Sequence, residues 1–171
     1  MGRKGKVEND MKKIKIAGKE YILEFTFEAA EIEECVKRMF MLASGGHILA
    51  RAETAKTELE LYMESTSDMV GDVPKTCVVA FHAGLQEHHS TDAKESKELM
   101  KAYMKENKLN YAALFEEIKE CMEEDDFFGL SGITKMLEDM ETNIEAEEQK
   151  QNKKEAKTPQ DHNCLLYTSP S

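Results

Sequence analysis

The chain has 171 residues, one domain's worth and enough to bury a substantial core. It carries 34 acidic against 23 basic residues, a formal net charge of -11; such a surface repels nucleic acid and anionic membranes and argues against a role on either. No apolar run approaches membrane-spanning length, "CVVAF" being among the longest, and the basic "MGRKGK" start is not followed by the apolar core of a secretory signal, so a cytoplasmic protein is expected.

Residues 1–10, "MGRKGKVEND", are read as a disordered extension upstream of the true start at Met11, because the strand-like alternation begins only after Met11. "KIKIAGKEYILEF" then places Ile14 and Ile16 on one face of a first strand and Tyr21, Leu23 and Phe25 on one face of a second, with Ala17-Gly18-Lys19 as the turn. A lone hairpin is not stable in water, so its apolar face must lie on something else.

That something is helical. From Phe27 to Leu42, Ile32, Val36, Met39 and Phe40 recur at helical spacing, and Gly45-Gly46 ends the run. A second, more polar helix is expected from about His47 to Ser67, with Leu49, Ala52, Leu59 and Met63 turned inward. Asp72-Val73-Pro74 reads as the start of a third, since proline is tolerated in a first turn, and its sequence "KTCVVAFHAGLQEHH" is apolar enough to stand at the centre. Ser90-Thr91-Asp92 caps a fourth helix carrying Leu99, Ala102, Tyr103 and Met104, which "ENKLN" breaks. Asn110 caps a fifth, where Tyr111, Leu114, Phe115, Ile118 and Met122 form an amphipathic stripe. After "FFGLSG", Ile133, Met136, Leu137, Met140 and Ile144 share one stripe of a final helix. The fold class is therefore mainly α (α+β), an N-terminal hairpin on a bundle of about five to six helices, with a single domain over residues 11–145 and a charged, frayed or disordered tail over 146–163.

The closing octapeptide "CLLYTSPS", residues 164–171, shares no character with the charged run before it and looks like the conceptual translation of a transposase-type sequencing adaptor, so it is set apart from the fold. Of the other cysteines, Cys35, Cys77 and Cys121 form no CxxC pair and each lies in apolar helical periodicity, the pattern of buried free thiols.

Sites of chemistry are sparse. His82 and His89 stand seven apart, two turns from each other and too far for one metal, and His88 and His89 suit helix-end capping. "CMEEDDFF" gathers Glu123, Glu124, Asp125 and Asp126 without the alternating ligands and central glycine of an EF-hand, so a solvated helix end is expected. Nucleophile motif, phosphate loop and acid/base pair are all missing, so no catalytic residue, cofactor or metal is assigned and the chain is read as a non-enzyme. Phe127 and Phe128 cannot both enter one core from a helix, their directions lying about 100° apart, which leaves one for the core and the other for a contact patch. The protein-binding candidates are Phe127, Phe128, Leu130, Ile133, Met136, Leu137 and Met140, although the same stripe also suits packing on the body.

The order of "KIKIAGKEYILEFTFEAAE", "DVPKTCVVAFHAGLQEHH" and "ESKELMKAYMKENKLNYAALFEEIKECMEEDDFFGLSGITKMLEDM" resembles the tail assembly chaperone family of long-tailed bacteriophages and prophages of Gram-positive bacteria, over roughly Met11 to Met140. The resemblance implies a helical protein of the host cytoplasm that binds the tape measure protein, helps recruit tail tube protein and stays out of the mature virion. Homo-oligomers are compatible with it. The rival reading is an acidic phage or host regulator, such as a nucleic-acid mimic that inhibits a basic partner.

Overall fold

The structure, a computed structural model, describes residues 11–44 and 57–157. Two strands, β1 (Lys12–Ile16) and β2 (Lys19–Leu23), pair antiparallel with Ile14 opposite Tyr21 and Ile16 opposite Lys19. The turn is Ala17-Gly18, both at positive φ (50° and 78°), the handedness that matches the twist of a two-residue hairpin. Period-two alternation sends Ile14, Ile16, Tyr21, Leu23 and Phe25 to one buried face, as their sequence pattern predicts.

Seven helices follow among the described residues: α1 (Phe27–Glu31), α2 (Glu33–Ser44), α3 (Glu58–Leu85), α4 (Ala93–Asn107), α5 (Tyr111–Glu124), α6 (Phe127–Leu130) and α7 (Ile133–Lys157). The run predicted from Phe27 to Leu42 is split at Ile32, whose extended ψ of 94° separates α1 from α2. Asp92 and Asn110 cap α4 and α5 as predicted, their side chains accepting from the N–H groups of Glu95 (2.7 Å) and Ala113 (2.8 Å). α4 ends where Lys108 takes the left-handed conformation.

The largest departure concerns α3. The sequence predicts two helices with a start at Asp72-Val73-Pro74, whereas one helix of 28 residues passes through Pro74. Its start lies at Thr57, where a full capping box forms: Glu60 N–H donates to Thr57 Oγ1 (3.3 Å) and Thr57 N–H donates to Glu60 Oε2 (3.0 Å). An internal proline forfeits the bond to the carbonyl four residues earlier, here that of exposed Val70, where water can serve it. The segments expected at residues 1–10, 45–56 and 158–171 lie outside the described residues.

α3 is the axis of the body. Its C-terminal half buries Cys77, Ala80, Phe81, Ala83 and Leu85 among α4, α5, α1 and β2. Gly84 is required there because a Cβ at that position would stand 2.7 Å from Phe25 Cζ, and Phe25 is wholly buried. Among the described residues the hairpin has no third strand, and groups on the helices or just beyond their ends take up N–H groups along it and its flanks instead. Glu24 N–H donates to the Gly84 carbonyl (2.9 Å), Ile22 N–H to His89 Nε2 (3.0 Å), Phe25 N–H to Asp125 Oδ2 (2.8 Å) and Ala17 N–H to Glu106 Oε1 (2.7 Å). This meets the edge-strand problem without extending the sheet.

Two compact units divide the chain after Thr134. In the second, α7 continues as helix from Lys135 to Lys157, past the boundary expected near residue 145. Lys135 pairs with Asp139 (3.3 Å), and every described side chain from Glu141 to Ala156 is exposed.

Candidate functional site

The predicted contact residues do not act together. Phe127 and Ile133 are buried core residues, Phe127 meeting Phe25 edge-on at 6.1 Å between ring centroids, so neither is available to a partner. Phe128, packed edge-on against Phe127 at 5.9 Å, is the half-buried one of the pair, as the angular argument requires. Leu130 and Met136 are exposed, and Leu137 and Met140 half-buried.

Phe128 instead belongs to an apolar cleft of about 250 Å³ between α2, α3, α5 and α6, lined by Met39, Leu42, Ala43, Met69, Val73, Phe115 and Lys119. One amine, that of Lys119, is the only charged group among those side chains. From α3 the cleft takes Met69 and Val73, and in the N-terminal half of that helix Leu59, Met63 and Val70 are 67%, 63% and 67% exposed. At about 100° per residue, Leu59, Met63, Val70 and Val73 share an arc of about 80° with Cys77, Phe81 and Gly84. The stripe that forms the core in one half of α3 thus runs on along the other, where no described element covers it. Leu59 and Met63 are predicted to point inward; they occupy the predicted face, but no described element lies over it.

The sequence signal for this surface was present in the apolar periodicity of Met69, Val70 and Val73 and in the count of eleven methionines. The proline obscured it, because breaking α3 at Asp72 separates the two halves of one stripe.

The titratable groups are occupied structurally. His88 pairs with Glu24, and His89 accepts the Ile22 N–H, so both link the hairpin to the end of α3 rather than cap a helix. Accepting at Nε2 keeps His89 neutral, and burial, with His88 and Lys19 nearby, holds its pKa below the ordinary histidine value. His82 Nδ1 lies 2.8 Å from Ser96 Oγ and 3.2 Å from Gln86 Nε2, and burial lowers its pKa too, against the pull of Asp92. Asp125 is pushed up by burial, partly offset by the Phe25 N–H it accepts. Burial drives Cys35 and Cys77 up to about 12 and Cys121 to about 11, so all three remain thiols at neutral pH. Among the described residues no group of three or more His, Cys, Asp or Glu converges as a metal site, and no helix is long and apolar enough to cross a membrane.

What this arrangement offers is apolar contact area with adaptable side chains, the raw material of helix-in-groove recognition. No protein-family model, no curated protein and no solved structure matches the chain.

Proposed function

We propose that this protein is a non-enzymatic tail assembly chaperone of a long-tailed bacteriophage or prophage, which holds the tape measure protein in solution in the host cytoplasm, helps recruit tail tube subunits and is left out of the virion. The order of sequence segments supports the family. The observation that carries the mechanism is the uncovered continuation of the core stripe of α3, from Val73 through Val70 and Met63 to Leu59, beside the methionine-lined cleft.

A long client helix with apolar faces aggregates unless those faces are covered until assembly. A preformed apolar strip on an acidic body covers them while keeping the complex soluble, and methionine side chains adjust to successive client sequences at little cost.

Co-expression of the full chain with the tape measure protein of the same genome tests the role. A soluble complex that co-purifies is expected. An insoluble tape measure protein, with this chain alone in the soluble fraction, would overturn it, and capture of a basic DNA-binding protein instead would favour an acidic regulator.

A further inference from the structure

We infer, independently of the role proposed above, that this chain associates with itself, the lysine face of α4 on one copy docking on the glutamate face of α5 on another.

Charge is unevenly placed on the body. At about 100° per residue, Lys94, Lys97, Lys101, Lys105 and Lys108 of α4 fall within an arc of about 80°. All five are exposed, turned away from the buried Ser96, Met100 and Tyr103. The row runs about 21 Å along the helix, on a chain whose formal net charge is -11. Of the α4 glutamates, Glu95 and Glu106 lie about 80° or more beyond the edge of the row, and Glu98 stands beside it. Glu98 pairs with Lys101 at 2.8 Å, and that bond, with Lys97 and Lys105 close by, holds its pKa below the ordinary carboxylate value. Lys94, Lys97, Lys105 and Lys108 make no ion pair among the described residues.

α5 shows the converse. Glu116, Glu120, Glu123 and Glu124 fall within about 100° of one another, exposed on the side away from the buried Leu114, Ile118 and Cys121. None of the four has a cation partner among the described residues, and Lys119, at the edge of the row, lines the cleft. The spacing also matches: Lys97, Lys101 and Lys105 recur every four residues, as do Glu116, Glu120 and Glu124, a step of about 6 Å on either helix. Single exposed ion pairs contribute little, so several in register are needed. Met104 and Leu109, which line a hollow with Lys101, Lys105 and Lys108, add apolar area beside the charges.

The rest of the surface selects the occupant. Nucleic acid or an anionic membrane, larger than the lysine row, would also meet the acidic faces around it. A helix with a short row of carboxylates meets the lysines alone, and α5 of a second copy is such a helix.

Sedimentation equilibrium of the full chain at about 150 mM salt, up to high micromolar concentration, tests the contact. A mass that rises with concentration is expected, and about 1 M salt, which shortens the screening length to about 3 Å, should reverse it. Two double variants at exposed positions follow, Lys97→Glu with Lys105→Glu, and Glu116→Lys with Glu120→Lys. Each places like charges across the contact and is expected to weaken self-association roughly tenfold or more. The second is less negative than the natural chain, so relief of overall repulsion alone would strengthen its association instead. An equimolar mixture of the two restores opposite charges across the contact and is expected to associate as the natural chain does. Circular dichroism verifies that both variants are folded.

A natural chain that stays monomeric throughout overturns the inference. So does an association that either variant leaves unchanged, or a mixture that fails to regain it.

Discussion

The two halves of α3 differ in surroundings far more than in pattern. From Thr76 to Leu85 the helix lies under β2 and against α4 and α5; from Glu58 to Val70 the same face, with the same spacing of apolar residues, meets no covering element among the described residues. Periodicity therefore specifies which side of a helix is apolar, but what covers that side is a property of the rest of the molecule or of a partner. A helix whose core face outruns the core is a place to look for a binding partner.

The comparison is broken most severely in the covered half. Phe25→Ala empties the space beneath Gly84 and beside Phe127, and a loss of about 3–5 kcal/mol is expected in urea denaturation. Gly84→Ala forces a methyl against the Phe25 ring and should cost about 1–3 kcal/mol, more than the helical propensity it gains. The matching substitution in the other half has the opposite sign: a Cβ at Gly71 meets nothing within 4 Å, so Gly71→Ala should stabilise by up to about 1 kcal/mol. Equal effects at the two glycines would contradict the contrast.

A smaller effect depends on pH. His82 and His89 have folded-state pKa values below the ordinary histidine value, so the stability they contribute is fully present above that value and is lost as pH falls through the lower folded values. A protonated His89 would turn a donor toward the Ile22 N–H, loosening the hairpin from the end of α3. Denaturation midpoints should fall as pH is lowered from about 7.5 to about 5.5, and His89→Gln should flatten that fall. Asp125 acts with the opposite sign: its raised pKa contributes stability that is present at lower pH and lost as pH rises through the folded value. The smallest effect is expected at the uncovered stripe. Leu59→Gln, Met63→Gln and Val70→Gln should each change stability by no more than about 0.5 kcal/mol, because no described neighbour is lost.

Much of the fold could be read in the sequence, because it rests on local signals. Alternation around Gly18 marks the hairpin, Asp92 and Asn110 mark helix starts, and the stripe of α5 lands with Leu114, Ile118 and Met122 buried. The proline misled, because a first-turn position and a tolerated interior position look alike when the capping box lies upstream at Thr57 and Glu60, well before Pro74. The site was legible only in part. Phe128 emerges at the cleft and Leu130 and Met136 at the surface, but Phe127 and Ile133 are taken by the core, and the strip on α3 was hidden by dividing the helix. The roles of His88, His89 and Asp125 were out of reach because each joins elements distant in sequence, a matter of tertiary placement that no local spacing encodes.

Hydrogen–deuterium exchange of the full chain, with and without the co-expressed tape measure protein, tests the central claim most directly. Covering the strip should slow exchange from Glu58 to Val73, while Thr76 to Leu85, already enclosed by the body, should change little. A complex that leaves residues 58–73 exchanging as in the free chain, with protection confined to the hairpin or to α7, would contradict it.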